Sequence, residues 1–262
     1  MTASSPLRTS SRRASPLGRR RPAPPALVLV AHGSRDPRAL DTVRALMARV
    51  RALRPGLPVH LGHIELNEPL LTDTLAALGG TPAVLVPLLL ARGYHVKEDI
   101  PRMAATAPVP ARTAGPLGPH PLLAEALHAR LLEAGWPPAM DDTARRSTAV
   151  VLAAAGSRDP DSATDTRRTA RLLAARLGVP VVPAYASAAT PAVPTALRAL
   201  AARGRHRVAV ASCFTAPGRF AAQCAARSPW IASAPLGDHE AMAGLVLHRY
   251  EQNLAAPWRS AA

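Results

Sequence analysis

The sequence predicts an α/β protein made of two tandem domains, each with a small parallel β-sheet flanked by helices. Two observations support this prediction. From residue 27 onward short apolar runs alternate with helical patterns, which is typical of right-handed βαβ units and a parallel sheet. The pentapeptide Gly-Ser-Arg-Asp-Pro at 33–37 recurs 123 residues later at 156–160, which indicates an internal duplication.

In the first half, short apolar runs predict strands and 3.6-residue periodicity predicts helices. The predicted strands are 27–31 (LVLVA), 59–66, 83–90 and a short one at 111–114. The predicted helices are 38–54, 69–78, one that begins near Val96, and 122–134. Glycine or proline follows three of these helices directly, and such residues commonly end a helix.

The same series restarts after residues 138–147, which we interpret as a linker. Strands predicted at 149–155, 181–187 and 207–214 match the first three strands in order. A fourth matched block is GPLGPH at 115–120 and APLGDH at 234–239. The offsets of 119 to 125 residues are too long for a solenoid array. We therefore predict domains at 26–137 and 148–255.

Composition and charge narrow the classes of partner. The chain has 262 residues, which is enough for two domains of this size. The first 25 residues hold six arginines and no acidic residue, and we predict a disordered tail at 1–25. The net charge of +15 suits a small polyanionic substrate, and the absence of interleaved aromatic residues argues against a nucleic-acid partner.

Cysteine usage and hydropathy point to the cytoplasm. Cys213 and Cys224 are 11 residues apart and form no C-x-x-C pattern, so we predict neither a disulfide framework nor a zinc site. No apolar run approaches the roughly 18 residues of a membrane span, so we expect no membrane partner.

Comparison of the two copies singles out three residues. His32, Glu65 and His95 each follow a predicted strand of the first half. The second half carries Ala155, Ser187 and Phe220 at the equivalent positions. The carboxyl ends of parallel strands lie side by side, so the three side chains can converge. Two imidazoles and a carboxylate make an open site for a divalent ion such as iron, cobalt or nickel.

Structural interpretations compete with this one for individual residues. A histidine after a strand is often a hydrogen-bonded structural residue, and Glu65 could be a solvated surface carboxylate. We interpret His63 as a packing or surface residue. His120 and His239 recur in both halves, so we expect structural roles near helix starts. Asp36, which precedes a proline in both copies of the pentapeptide, is expected to cap a helix.

Three motifs occur in the order AHGSRDP, HIELNEP and VPLLLARGYHVKEDIP, and together they resemble the sirohydrochlorin chelatase family of class II chelatases. This family includes the cobalt- and iron-inserting enzymes of cobalamin and sirohaem synthesis. The resemblance covers about residues 27–250 and is strongest over 27–101. It implies two similar four-stranded chelatase-like domains related by a pseudo-twofold axis, with a cleft between them. It also implies ATP-independent insertion of a divalent metal into a reduced tetrapyrrole.

The resemblance also implies roles for individual residues. His32 and His95 would be catalytic, one of them accepting pyrrole protons, and both would hold the metal together with Glu65. The residues expected to bind the tetrapyrrole are Ser34, Arg35, Arg92, Gly93 and Tyr94.

The implied partners are sirohydrochlorin and a divalent metal substrate, Fe²⁺, Co²⁺ or Ni²⁺, with no permanently bound cofactor. Short family members dimerise, and here the second copy would stand in for the partner, so we expect a monomer. The alternative is a non-catalytic metal- or tetrapyrrole-binding or delivery protein that uses the same three ligands. Neither the physiological metal nor the choice between the sirohaem and cobalamin pathways follows from the ligand types.

Overall fold

A computed structural model describes residues 24–254 and contains two parallel β-sheets with helices packed against them. The predicted tail at 1–25 therefore lies, apart from its last two residues, outside the described part of the chain.

The first half forms a four-stranded sheet in the order β2-β1-β3-β4, with all neighbouring strands parallel. Its elements are β1 (Ala26–Ala31), α1 (Pro37–Leu53), β2 (Val59–His63), α2 (Leu71–Ala76), β3 (Ala83–Pro87), a π-helical turn (His95–Asp99), α3 (Ile100–Ala105), β4 (Ala111–Thr113) and α4 (Pro121–Glu133). β2 ends three residues before its predicted end because the chain turns there, with Leu66 at φ 68°. Glu65 therefore lies in a loop.

The second half repeats this plan with one strand fewer. Its elements are α5 (Asp142–Ser147), β5 (Thr148–Ala154), α6 (Pro160–Leu177), β6 (Val181–Tyr185), α7 (Val193–Ala201), β7 (Arg207–Cys213), α8 (Arg219–Ala225) and α9 (Glu240–Gln252). The parallel sheet has the order β6-β5-β7. The expected fourth strand is reduced to an isolated bridge between Val210 and Ala232. The region predicted as a linker contains the short helix α5.

The duplicated pentapeptide is a tight turn followed by a helix start. Asp36 caps α1 by accepting a hydrogen bond from the backbone N–H of Arg38, and Asp159 caps α6 through the N–H of Asp161. A proline follows each cap at the first helical position, where a missing N–H costs nothing. The predicted role of Asp36 is confirmed.

His120 and His239 cap the last helix of each half, as their recurrence predicted. The Nδ1 atom of His120 accepts from the N–H of Leu122 at the start of α4. His239 makes the same contact with the N–H of Ala241 at the start of α9. Both histidines are therefore parts of helix starts.

The two halves share one apolar core because their last helices pack across the boundary. α4 contacts α6 and β7 of the second half, and α9 contacts α1 and β3 of the first. One cluster of buried side chains accordingly includes Leu46 and Leu127 from the first half and Leu173 and Leu245 from the second. The Tyr250 hydroxyl also donates to the Pro25 carbonyl at 2.7 Å. Each half thus buries apolar surface of the other.

Substitution Leu127→Ala should destabilise both halves at once. Leu127 is fully buried in the shared cluster, so its truncation should cost about 2 to 5 kcal/mol of unfolding free energy. Chemical denaturation should still show one transition, because the two sheets share this core. Leu132→Ala is the matched control on the same helix, since Leu132 is 40% exposed, and should change stability by about 0.5 kcal/mol or less. Two separated transitions would contradict the shared core.

Candidate active site

A cleft of about 1220 Å³ lies between the two halves, at the carboxyl ends of their strands. This is where open parallel α/β sheets bind ligands. Its walls include His32, Tyr94 and His95 from the first half and Phe214, Thr215 and Phe220 from the second. The Thr215 hydroxyl donates to the Leu88 carbonyl at 2.9 Å and so joins the two walls.

His32 and His95 converge on this cleft, as predicted. Their ring centroids are 4.8 Å apart and the planes are nearly perpendicular at 85°. The two residues follow β1 and β3, which are parallel neighbours in the sheet, so the loops leave the same edge side by side. Each imidazole is partly exposed, at 42% for His32 and 36% for His95, and is therefore accessible to a ligand in the cleft.

Glu65 lies at the rim of this histidine pair. Its Oε1 atom is 3.6 Å from Nδ1 of His32, and its side chain is 53% exposed. Glu65 does not itself line the cleft, although Leu66 and Asn67 do. Within residues 24–254 no three His, Cys, Asp or Glu side chains stand close enough together to hold a metal. The structure thus assembles the two imidazoles and leaves the carboxylate beside one of them.

Asp99 orients His95. Its Oδ2 atom is 2.7 Å from Nδ1 of His95, and Arg102 holds the other carboxylate oxygen. A carboxylate on Nδ1 leaves Nε2 as the ring nitrogen for a metal or a proton, and such partners also raise ligand basicity. The sequence analysis gave Asp99 no role. Its spacing of four residues from His95 was the available signal, because residues four apart share a helix face.

Gly33 allows the loops that carry His32 and Glu65 to cross. It adopts φ 102°, and a Cβ atom there would lie 1.9 Å from the Glu65 carbonyl oxygen. Gly156 repeats this arrangement in the second half, with φ 91° and the same 1.9 Å approach to the Ser187 carbonyl. The duplication therefore preserved the backbone crossing while the second copy carries none of the candidate ligands.

All five predicted tetrapyrrole-binding residues line the cleft. Arg35 is exposed and forms no ion pair with any residue between 24 and 254, so its guanidinium is available to an anionic ligand. Tyr94 lines the cleft and is 60% exposed. Ser34 is held by its backbone N–H, which donates to Oδ1 of Asn67 at 2.7 Å.

Arg92 differs from the other four because its guanidinium is already paired. Its Nε and Nη2 atoms donate to Asp165 at 2.8 and 2.7 Å, and Nη1 is 3.4 Å from Asp161. Burial by itself raises the pKa of Asp165, but the hydrogen bonds from Arg92 outweigh it and hold that pKa below its usual range. This geometry makes Arg92 a link between the halves, and its partly exposed guanidinium keeps N–H groups that the two carboxylates do not use.

Lys97 forms further ion pairs between the halves, close to His95 in sequence. Its Nζ atom lies 2.7 Å from Asp159 and 2.8 Å from Asp161, both at the start of α6. Hydrogen bonds to these two carboxylates raise the pKa of Lys97. This contact was not predicted, because the local sequence around Lys97 carries no signal for a carboxylate partner 62 residues away.

Cys213 and Cys224 are both free and buried. Cys213 lines the cleft, and burial raises the pKa of its thiol to about 12. A protonated thiol is a poor metal ligand, so Cys213 adds no thiolate to the imidazoles of His32 and His95.

Solved structures share this fold. SirB from Bacillus subtilis with Fe³⁺ has a TM-score of 0.69 and 25% identity, over 88% of this chain and 95% of that chain. A CbiX structure titled as the terminal enzyme for biosynthesis of siroheme in denitrifying bacteria has a TM-score of 0.66 at 22% identity, over 88% of this chain and all of that one. The paired sheets and their histidine-bearing cleft thus define an α/β chelatase-type protein.

The family model described as CbiX matches twice, over residues 26–134 and 149–253. The chain therefore belongs to the CbiX family of sirohydrochlorin chelatases. A protein named sirohydrochlorin cobaltochelatase from Methanococcoides burtonii is 29% identical over 41% of this chain and 94% of its own length. The Bacillus subtilis protein named sirohydrochlorin ferrochelatase is 31% identical over 63% of this chain and 64% of its own length.

None of the helices in the described range is long and apolar enough to cross a membrane.

Substitution Gly33→Ala should disturb the crossing of the two site loops. Alanine at φ 102° is strained, and its Cβ would also meet the Glu65 carbonyl, so we expect a loss of about 2 kcal/mol or more in unfolding free energy. Gly56→Ala is the matched control, because Gly56 has φ 84° with no atom within 4 Å of its Cβ position. It should cost about 1 kcal/mol from backbone strain alone. Equal losses in denaturant titrations would exclude the close approach as the cause.

Proposed function

We propose that this chain inserts a divalent metal ion, Fe²⁺ or Co²⁺, into sirohydrochlorin without ATP. The observation that carries the proposal is the His32–His95 pair, with rings 4.8 Å apart, in a cleft of about 1220 Å³. That volume exceeds the range of about 300 to 1000 Å³ for drug-sized ligands and suits a macrocycle. Relatives named as cobaltochelatase and ferrochelatase, both for sirohydrochlorin, support this substrate.

The incoming metal would bind through His32, Glu65 and His95. Glu65 needs only a side-chain rotation toward the cleft, because it is exposed and already 3.6 Å from His32. Imidazole and carboxylate ligands suit first-row divalent ions and leave coordination positions open for exchange. A metal held in this way can be passed to the four pyrrole nitrogens.

The same histidines would accept the protons that the macrocycle releases. The pyrrole protons must leave as the metal enters, and an imidazole can accept a proton near neutral pH. Asp99, 2.7 Å from Nδ1 of His95, would keep that ring oriented and would stabilise it when it carries an extra proton.

Arg35 would bind a peripheral carboxylate of the macrocycle. Its guanidinium is exposed and lines the cleft, and charge-assisted pairs between arginine and carboxylate are strong and directional. The net charge of +15 would also draw a polyanionic substrate to the protein. Ser34, Gly93 and Tyr94 line the same cleft and would contact the ring system.

We also propose an oligomeric state and a cellular compartment for this chain. A single chain supplies both walls of the cleft and a core shared between the halves, which supports a monomer. We also propose a cytoplasmic reaction with the metal as a substrate and no resident cofactor, since the free cysteines suit a reducing compartment.

Substitutions His32→Ala and His95→Ala should each reduce metal insertion by about 100-fold or more, because each removes a metal ligand and a candidate proton acceptor. The measurement is anaerobic absorbance with sirohydrochlorin and Fe²⁺, Co²⁺ or Ni²⁺ offered separately. His206→Ala is the control, since His206 is exposed and outside the cleft, and it should retain the wild-type rate. Full activity of His95→Ala would overturn the assignment of the site.

Substitution Arg35→Ala should raise KM for sirohydrochlorin by about 10-fold, the effect of losing one charge-assisted hydrogen bond. Co²⁺ binding in the absence of tetrapyrrole should change little. Arg158→Ala is the matched control, because Arg158 holds the same place in the second pentapeptide, is exposed, and does not line the cleft. Steady-state kinetics in which both variants behave alike would exclude a specific contact at Arg35.

A further inference from the structure

Five charged residues form one ion-pair group across the boundary between the halves, which we call the cross-half cluster. Its members are Arg92, Lys97, Asp159, Asp161 and Asp165. Both cations belong to the segment that follows β3, and all three carboxylates belong to the start of α6 or to its cap. His95 lies between the two cations in sequence. Every ion pair of the cluster therefore connects the histidine-bearing segment to the other half.

The cluster occurs at only one of the two equivalent places that the duplication created. The first half has Arg38 and Thr42 where the second has Asp161 and Asp165. The positions of the two cations are taken in the second half by Pro217 and Ala222. Asp161 and Asp165 thus occur only in the copy that lacks the histidines, whereas Asp159 has its counterpart in Asp36.

The segment that carries His95 has an unusual backbone conformation. His95–Asp99 is a π-helical turn, in which the N–H of Ile100 donates to the His95 carbonyl. π turns are rare and are found mostly at functional sites, because a regular α-helix is the more stable local choice. Contacts from outside the segment must therefore contribute to its conformation.

α6 offers a rigid anchor for these contacts. Asp159 is fixed as the helix cap, and Asp161 lies in the first turn, where the helix dipole favours negative charge. Asp165 is only 1% exposed and accepts three hydrogen bonds from Arg92. A carboxylate buried in this way depends on its partner, so the pairing is strongly favoured.

We infer that the second half acts as a positioning half, in which Asp161 and its neighbours on α6 hold Lys97 and Arg92 and thereby set the place of His95 opposite His32. This inference rests on the proposed function, because it assigns a purpose to the His32–His95 distance. Lys97 and Asp161 are positioning residues, since they act on a metal in the cleft only through His95.

The test compares Lys97→Met with Asp161→Asn by Co²⁺ titration of the full chain without tetrapyrrole. Positioning predicts that both variants weaken Co²⁺ binding by about 10-fold, the usual effect of losing a residue that orients a ligand. Direct electrostatics predicts opposite signs, because removing a cation should tighten binding of a divalent ion and removing an anion should weaken it. Binding by Lys97→Met as tight as in the wild type would therefore overturn the inference.

Three further measurements make the result specific. Lys97→Arg, unlike Lys97→Met, should bind Co²⁺ with the wild-type affinity, because a guanidinium can reach the same two carboxylates. The double variant should lose no more than either single variant, since the two residues act as one unit. Glu251→Gln removes the Arg54–Glu251 ion pair, which also joins the halves but lies away from the cleft, and should leave Co²⁺ affinity unchanged.

Binding and insertion measurements separate this inference from the proposed function. Lys97 and Asp161 are partly exposed, and thermal unfolding of each variant should match that of Glu251→Gln within a few degrees. A wild-type chain that binds no Co²⁺ would overturn the proposed metal site itself. A wild-type chain that binds and inserts Co²⁺, with variants of equal affinity, would overturn the positioning role alone.

Discussion

The site depends on the parallel pairing of β1 with β3. These strands are neighbours in the first sheet, with Val30 opposite Pro87, so the chain leaves both at the same edge. His32 follows β1 at once and His95 follows β3 after a short loop, which brings their rings to 4.8 Å. The opposite wall of the cleft is the corresponding edge of the second sheet. Helices α4 and α9 hold the two sheets together by packing across the boundary between the halves. Sheet pairing therefore decides where chemistry is possible.

The two copies share their backbone turns but differ in the side chains on them. The crossing of loops at Gly33 is repeated at Gly156, and the capping aspartate occurs in both copies. The side chains differ between the copies: the first carries the imidazoles of His32 and His95, and the second carries the α6 carboxylates of Asp161 and Asp165. Asp159 combines a contact shared by both copies with one found only in the second, because it caps α6, as Asp36 caps α1, and also pairs with Lys97.

The sequence predicted a large part of the fold because its signals were local. Buried strands such as β1 are continuous apolar runs, and the starts of α1 and α4 carry capping residues next to proline. The resemblance implied a fourth strand in the second half, and this was wrong: that sheet has three strands and an isolated bridge between Val210 and Ala232, because family motifs do not specify the hydrogen bonds that complete a ladder. The convergence of His32 and His95 followed from the general geometry of parallel sheets.

By itself the sequence determined the duplication, the order of strands and helices, and the residues that differ between the copies. It also determined the family, through three motifs that are each continuous in sequence. Only the tertiary structure decided that Arg92 is paired with Asp165, that Glu65 stands at the rim, and that Lys97 reaches α6. The physical reason is that these contacts join residues 33 to 73 positions apart, so their partners are chosen by the packing within the first sheet and between the two halves rather than by local pattern.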